Sequence, residues 1–403
     1  MRKLPAHRNR CSQTGFGLLL LLGLLGLVVL FVAAGQLNEF ATRRSLDTAT
    51  RDSLQQAKQA LIGYAATYRD THSTTTPPTF GYLPCPATDG NGVAGNCGTT
   101  GTAIIGFLPF KTLNLPDLRD NAGECLWYTV AGSIKNSPAQ LQLNWDVQGQ
   151  FIVVDTAGAV LASPNAQDGG PVALIVAPGP PLGGQARTAA NTPCGKAPVY
   201  ANFIESAATF PNAGPVTMTQ GSPSGQAVND QFAWITAKEV FDRINQRSDF
   251  AAQINGLMNE MTNCLGSGLP TPDLPQTIGL NLFGLVPNTS TTGTPSYCPA
   301  PGYSVSPDQI HYWRNWREQF RYMKCGSGVQ CATVNGSSCK GVLLFGGQRT
   351  GMQNRATAAD KANAANYLEG TTAAAWAANG LSYSGPVAYD PASPTQDVVR
   401  CLN

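Results

Sequence analysis

The chain carries little charge and very little histidine, and both shortages restrict the functions open to it. Only 12% of its 403 residues are charged, and histidine occurs three times. A Ser-His-Asp hydrolase needs a histidine base between its nucleophile and its acid. The motifs GxSxG and HExxH are absent from the sequence. We therefore expect no enzymatic activity. A glycosidase with paired carboxylates leaves no sequence motif and stays open as an alternative.

Charge is also missing from one long stretch near the N-terminus. Residues 1–15 contain four basic residues and no acidic one, and residues 16–34 contain no charge at all. A helix of this length is close to the roughly 30 Å of a bilayer's hydrocarbon core. Basic residues before the span predict a cytoplasmic N-terminus and a translocated remainder. A secretory signal cut after Val32-Ala33-Ala34 is the alternative.

The cysteines agree with export. Cys11 precedes the apolar stretch, and the other ten form an even set that predicts five disulfides in an oxidising compartment. Zinc is disfavoured because no CxxC occurs and only His72 and His311 follow the apolar stretch. We expect Cys85 to pair with Cys97 across a short glycine-rich loop. The disulfide candidates are Cys85, Cys97, Cys125, Cys194, Cys264, Cys298, Cys325, Cys331, Cys339 and Cys401.

One long helix is predicted over residues 16–70. No proline interrupts it, and apolar residues recur at steps of about three, four or seven beyond residue 36. Its first half is apolar all round and its second half is amphipathic. The sequence Thr74-Thr75-Thr76-Pro77-Pro78 is expected to end it.

A basic leader ending in Gly15, then Phe16, then this helix resembles the type IV pilin and pseudopilin superfamily. The resemblance implies that a prepilin peptidase cuts after Gly15 and methylates Phe16. It also implies that the helix joins other minor pilins or pseudopilins at the centre of a filament. The family's Glu at the fifth mature position is here Leu20. Certain large minor subunits that cap a filament lack that Glu, so Leu20 implies either a tip subunit or a plain signal anchor unrelated to pili.

Several phrases of the translocated part are similar to a group of large prepilin-type proteins. They are Gly81-Tyr82-Leu83-Pro84-Cys85-Pro86, Asp89-Gly90-Asn91-Gly92, Gly106-Phe107-Leu108-Pro109 and Leu126-Trp127-Tyr128. The sequence also contains an internal repeat of two segment pairs. The first pair is Gln185-Ala186-Arg187 and Ala201-Asn202-Phe203-Ile204-Glu205, and it matches Gln353-Asn354-Arg355 and Ala365-Asn366-Tyr367-Leu368-Glu369. This predicts two related α+β units, with chance similarity as the alternative.

The predicted fold class is α+β, with a pilin-like N-terminal helix and a large disulfide-bonded globular region. Residues 1–15 form the leader and 16–70 the helix, while 79–265 and 302–403 form the two units. Residues 266–301 are rich in Gly, Pro, Thr and Asn and are interpreted as a linker or extended loop. Thr236 and Glu239 predict a capping box, and Ser306-Pro307-Asp308 predicts a second helix start.

Two local patterns are candidates for binding. Asp89 and Asn91 have the spacing of a calcium loop but lack its other ligands, so an ordinary turn is the competing interpretation. Trp313, Arg314, Arg317 and Arg321 could form a surface that binds DNA or glycan. However, Trp313, Trp316 and Phe320 recur at helical steps, which favours core packing. Without residues 1–15 the formal charge changes from +2 to −2 and gives no argument for nucleic acid.

The sequence thus predicts a single-pass protein of the inner membrane with a periplasmic globular region. We expect a minor pilin or pseudopilin at the tip or priming complex of a type IV pilus or type II secretion filament, displayed at the cell surface after assembly. The expected partners are other minor subunits, the inner membrane and prepilin peptidase, and no cofactor apart from calcium is considered. The alternatives are a signal-anchored envelope binding protein and an envelope hydrolase.

Overall fold

The structure is a computed structural model that describes residues 47–72, 79–138, 142–164, 168–187, 199–206, 208–223, 225, 227–287, 307–326 and 328–403. The chain divides into two units, Met1–Asp52 and Ser53–Asn403. Of the first unit, residues 47–52 are described, and they are helical. In the described part of the chain, no helix has the length and apolar character needed to cross a membrane. The predicted membrane helix over residues 16–34 lies outside that part.

The second unit is a mixed α+β structure with several sheets, as the sequence predicts. Helix α1 covers residues 47–71, of which residues 53–71 belong to this unit. The other helices are α2 (Ala237–Asn245), α3 (Ser248–Gly266), α4 (Pro307–Trp316), α5 (Ala358–Ala362) and α6 (Gly370–Ala377). Its strands are β1 (Ile104–Phe107), β2 (Trp127–Val130), β3 (Phe151–Asp155), β4 (Val160–Ala162), β5 (Pro171–Ala177), β6 (Val216–Gln220), β7 (Gln231–Thr236), β8 (Asp273–Ile278), β9 (Asn281–Leu285), β10 (Phe320–Lys324), β11 (Ala332–Val334), β12 (Ser337–Cys339), β13 (Gly341–Phe345), β14 (Ser382–Tyr383) and β15 (Val398–Leu402).

Helix α1 is amphipathic over the residues that belong to the second unit. Leu54, Ala57, Leu61 and Ala65 follow one another at steps of three or four and are all buried. That spacing places them on one face of a helix, which packs into the core. The helix ends at residue 71, just before the Thr/Pro stretch. The amphipathic second half predicted from the sequence is confirmed over these residues.

Two antiparallel sheets form the body of the unit. The first has the strand order β1-β2-β5-β7, and the second has the order β15-β13-β10-β9-β8. Each has a wholly buried interior strand, β5 in the first sheet and β13 in the second. Continuous apolar runs such as Val172–Val176 suit strands covered on both faces. Two smaller sheets, β4-β3-β6 and β12-β11-β14, complete the unit.

The segment interpreted as a linker is partly a β-hairpin, which corrects that interpretation. Strands β8 and β9 lie within residues 266–301 and pair antiparallel with each other, and β9 also pairs with β10. Gly279 takes the left-handed backbone conformation (φ 60°) at the first position of the two-residue turn. A glycine there permits the tight turn that matches the twist of a hairpin. The many loop-forming residues around it obscured this pattern in the sequence.

Both predicted helix starts are present. The Thr236 side chain accepts a hydrogen bond from the Glu239 amide, and the Glu239 carboxylate accepts one from the Thr236 amide, which completes the capping box. Helix α4 begins at Pro307, where the missing amide hydrogen is no loss.

The two predicted halves share one apolar core. Trp145 of the first half packs against three aromatic residues of the second half. Its ring centre lies 4.3 Å from that of Trp316 and 6.1 Å from those of Phe345 and Tyr389. Phe250 of α3 lies 5.7 Å from Trp316. All five side chains are buried in one cluster that also takes in the face of α1. The second half is therefore packed on the first over a continuous interior.

Disulfides lie within the apolar interior, in the cluster just described and in a second, smaller cluster of the second half. Cys85 pairs with Cys97 as expected, Cys325 pairs with Cys331, and Cys339 pairs with Cys401. Cys125 and Cys264 are disulfide-bonded as well. Cys194 and Cys298 lie outside the described residues.

Candidate functional site

The predicted processing site, Gly15 and Phe16, lies outside the described residues, whereas the predicted calcium loop at Asp89 and Asn91 lies within them. Asp89 accepts hydrogen bonds from the Asn91 amide at 3.0 Å and from its side-chain nitrogen at 2.9 Å. These two contacts form a local turn that accounts for the Asp-Gly-Asn spacing. Across the described ranges, no group of three or more His, Cys, Asp or Glu side chains is arranged to hold a metal ion. Calcium binding stays a prediction.

The aromatic helix α4 faces the core. Trp313 and Trp316 are 1% and 2% exposed, and Phe320 at the start of β10 is fully buried. Arg321 is also buried, whereas Arg314 and Arg317 are half-buried. The expected binding surface is therefore corrected: Trp313 and Arg321 are buried, so the four residues do not form one exposed surface. The three- and four-residue spacing placed the aromatic rings on the inner face, as a core stripe requires.

The internal repeat corresponds to two arginine clusters with the same contacts. Arg187 donates to the backbone oxygens of Asn202 (2.9 Å) and Gly179 (2.6 Å). Arg355 donates to those of Asn366 (2.5 Å) and Gly347 (3.0 Å). Each guanidinium also binds the amide oxygen of the glutamine two residues earlier, at 2.7 and 2.8 Å. Each arginine in addition stacks on an aromatic ring, Phe203 at 5.0 Å and Tyr367 at 4.3 Å.

Each cluster also contains a pair of acidic residues. The Glu205 amide donates to Asp230 at 2.8 Å, and the Glu369 amide donates to Asp397 at the same distance. Gln185 and Gln353 donate to the carboxylates of Glu205 and Glu369, respectively. Asp230 immediately precedes β7 and Asp397 immediately precedes β15. These strands take equivalent places beside β5 and β13, so the two clusters lie at the same corner of similar sheets.

Burial perturbs the acids of both clusters. Burial and the neighbouring charge of Glu205 together raise the pKa of Asp230 to about 8, against the opposing effects of the hydrogen bond from the Glu205 amide and of the Arg187 charge. In the second cluster, burial and a hydrogen bond with Asp397 raise the pKa of Glu369 to about 9. Glu369 Oε2 and Asp397 Oδ1 are both buried without a hydrogen-bond partner. Because burial raises the pKa of both carboxyl groups, the pair retains a proton at neutral pH.

The second cluster is completed by a residue from the first half. Arg355 contacts both carboxylate oxygens of Asp146, at 3.2 and 3.1 Å, and Gln319 donates to the same carboxylate. All three side chains are buried. Nearby, Asn315 accepts from the Leu143 amide at 3.0 Å through its side chain. Arg187 instead pairs with Glu124 of its own half, at 3.4 Å. The segment around Asp146 thus joins the halves through buried polar contacts.

A cleft of about 580 Å³ lies on the second half, between the β8–β9 hairpin and the helices that follow the second cluster. Arg321 forms part of its wall. The rest of the lining is largely apolar, and it includes Phe283, Leu285, Leu368, Trp376 and several alanines. Its volume is in the range of small-molecule sites, about 300–1,000 Å³. Sequence reasoning missed this cleft because its walls come from elements distant in sequence.

Comparison of the chain with protein-family models, with curated proteins and with solved structures finds no match. The chemistry of the molecule therefore has to be argued from its own residues. The acidic pairs are buried and bonded to backbone and side-chain groups, an arrangement that holds loops in place. The cleft is the concave surface with the character of a binding site.

Proposed function

We propose that the protein is a minor pilin or pseudopilin that acts by assembly, at the tip or in the priming complex of a type IV pilus or type II secretion filament. The observation that carries the proposal is helix α1. The chain is helical by residue 47, and one face of residues 53–71 is built into the core of a disulfide-bonded α+β unit. Packing of residues 53–71 into the core supports the proposal, because the globular part of a pilin-like subunit is attached through its N-terminal helix.

The opposite face of α1 supports the same proposal. Among its exposed residues, Gln55, Gln56, Gln59 and Thr67 are uncharged, whereas Arg51, Asp52 and Asp70 are charged. Where the exposed side chains are uncharged, a neighbouring helix can pack without the cost of burying unpaired charges. In a filament, this face would meet the helices of other minor subunits. Leu20, in place of the Glu of stacked subunits, suits a position with no subunit above it.

We also infer that the two halves are related by duplication. The supporting observation is the repetition of a whole contact set, namely arginine, glutamine, aromatic ring and acidic pair, at equivalent corners of two antiparallel sheets. Chance similarity of short sequences would not reproduce these contacts. A duplicated globular part gives one anchored helix a large exposed surface for contact with a partner or substrate.

The membrane topology in this proposal is a single pass, with the N-terminus cytoplasmic and the globular region periplasmic. The second candidate is a signal-anchored envelope protein that binds a ligand without joining a filament. The cleft beside Arg321 favours this candidate, because a purely structural subunit has no need of a concave, largely apolar site.

Processing at Gly15 separates the two candidates. Intact and N-terminal peptide mass spectrometry of the membrane-extracted protein, with and without active prepilin peptidase, gives the mature start. Gly15→Leu tests the cut, and Gly23→Leu, within the same apolar stretch, is the matched control. We expect N-methylated Phe16 at the start of the wild type and the control only when the peptidase is present. A start at Met1, or after Ala34 whatever the peptidase, would replace the filament proposal with the anchored binding protein.

A further inference from the structure

Arg321 is a buried cation with an incomplete set of partners. Its side chain projects from β10, and the residue is 1% exposed. One terminal nitrogen donates to the backbone oxygens of Glu318 and Phe320, both at 2.8 Å, and the other donates to that of Lys361 at 2.8 Å. The guanidinium lies 3.9 Å from the centre of the Tyr367 ring. Its Nε is buried with no hydrogen-bond acceptor.

The charge of Arg321 also lacks a partner among the described residues, where no carboxylate lies within ion-pair distance of it. The nearby Glu318 is instead paired with Lys361 at 2.8 Å. Arg355, also fully buried, has the carboxylate of Asp146 as its counter-charge. A buried charge left without a counter-charge is costly, so it needs an explanation.

The cleft supplies one. We propose that it binds a small carboxylate with an apolar body, the carboxylate facing Arg321 and the body lying against Phe283, Leu368 and Trp376. Charge complementarity selects an anion, because Arg321 is the one charged residue among the described residues that line the cleft. Guanidinium groups bind carboxylates well in desolvated settings. The inference stands independently of the filament proposal.

The edge of the neighbouring sheet argues for a small molecule over a peptide strand. Strand β8 is the outer strand of its sheet within the described residues and contributes Leu274 and Gln276 to the cleft. Pro275 has no amide hydrogen to donate to an added strand. The register of β8 also shifts between Asp273 and Gln276, and Leu274 takes a left-handed backbone conformation (φ 48°). An edge of this kind blocks regular pairing with a peptide.

The test uses the full-length chain purified in detergent and isothermal titration with phenylbutyrate and with phenylbutanol, which has the same apolar body without the charge. Ala377→Trp narrows the cleft from an exposed position in its lining. Ala378→Trp places the same ring on the next exposed residue, which is not part of the lining, and is the matched control. Arg321→Gln removes the charge and keeps a hydrogen-bond donor.

We expect saturable binding of phenylbutyrate that is at least about tenfold tighter than that of phenylbutanol. Ala377→Trp should weaken it by about tenfold or more, and Ala378→Trp by less than about twofold. Arg321→Gln should abolish the preference for the acid while the alcohol still binds. If that variant does not fold, the two tryptophan variants decide alone.

Three results would overturn the proposal. They are no saturable binding of the acid, equal binding of acid and alcohol by the wild type, or equal effects of the two tryptophan substitutions. A peptide that binds more tightly than phenylbutyrate, and loses this affinity when its C-terminal carboxylate is amidated, would also replace the small-molecule assignment.

Discussion

Replacing Asp146 with alanine should destabilise the protein more than its place in a loop would suggest. Asp146 provides the carboxylate for Arg355, whose side chain is 0% exposed, and the Asp146 side chain itself is 3% exposed. The substitution leaves Arg355 charged and buried, with only neutral acceptors. Removing one partner of a buried ion pair costs about 3–5 kcal/mol. Gln319 also loses the acceptor of its side-chain amide.

Urea unfolding followed by tryptophan fluorescence measures this loss, because Trp145 and Trp316 lie in the core beside the contact. Asp70→Ala is the control. It breaks an ion pair of 2.8 Å between Arg247 and an aspartate whose side chain is 45% exposed. An exposed pair of this kind contributes at most about 1 kcal/mol.

The double variant Asp146→Leu with Arg355→Met completes the experiment. It removes both charges together and should recover much of the lost stability, since apolar replacements of buried pairs are often tolerated. If Asp146→Ala costs less than about 1 kcal/mol, or no more than Asp70→Ala, Arg355 does not depend on this carboxylate and the reasoning fails.

Two further predictions concern buried ionisable groups. The pKa of Asp230 is raised from 3.8 to about 8, so the folded protein keeps a proton that the unfolded chain has lost. Asp230 therefore stabilises the folded state fully below about pH 4, and this stabilisation falls as the pH rises towards 8. The free energy of unfolding of Asp230→Asn, measured between pH 4 and 9, should depend less on pH than that of the wild type, by up to about 1.4 kcal/mol per pH unit. An unchanged profile would contradict a raised pKa. Lys135→Met should lower the unfolding free energy by about 2–3 kcal/mol, because three backbone oxygens lose the ammonium that binds them. A loss below about 0.5 kcal/mol in urea unfolding would show that other donors replace it.

Short-range signals allowed much of the fold to be predicted. The capping box at Thr236 and Glu239 needs residues three apart, and the start of α4 needs only a proline at its first position. The amphipathic part of α1 followed from a repeat of three and four residues. The hairpin over β8 and β9 was missed because its strands are short, irregular and surrounded by loop-forming residues.

The candidate site was predicted only in fragments. The repeated glutamine, arginine and glutamate were visible as a sequence pattern, but their acidic partners Asp230 and Asp397 lie 25 and 28 residues beyond the glutamates. Arg321 was grouped with an exposed helix face. It is buried because it lies on β10, an interior strand whose first four residues are all buried, so that both faces of the strand are covered.

By itself, the sequence determined the local elements, the even set of cysteines after the apolar stretch and the existence of two similar patterns. These depend on residue spacing and on the properties of single side chains. The tertiary structure alone decided that the halves share a core, that Asp146 forms an ion pair with Arg355 across a gap of 209 residues, and that Arg321 lines a cleft. Such contacts depend on how distant elements pack, because burial and charge pairing are properties of the assembled interior.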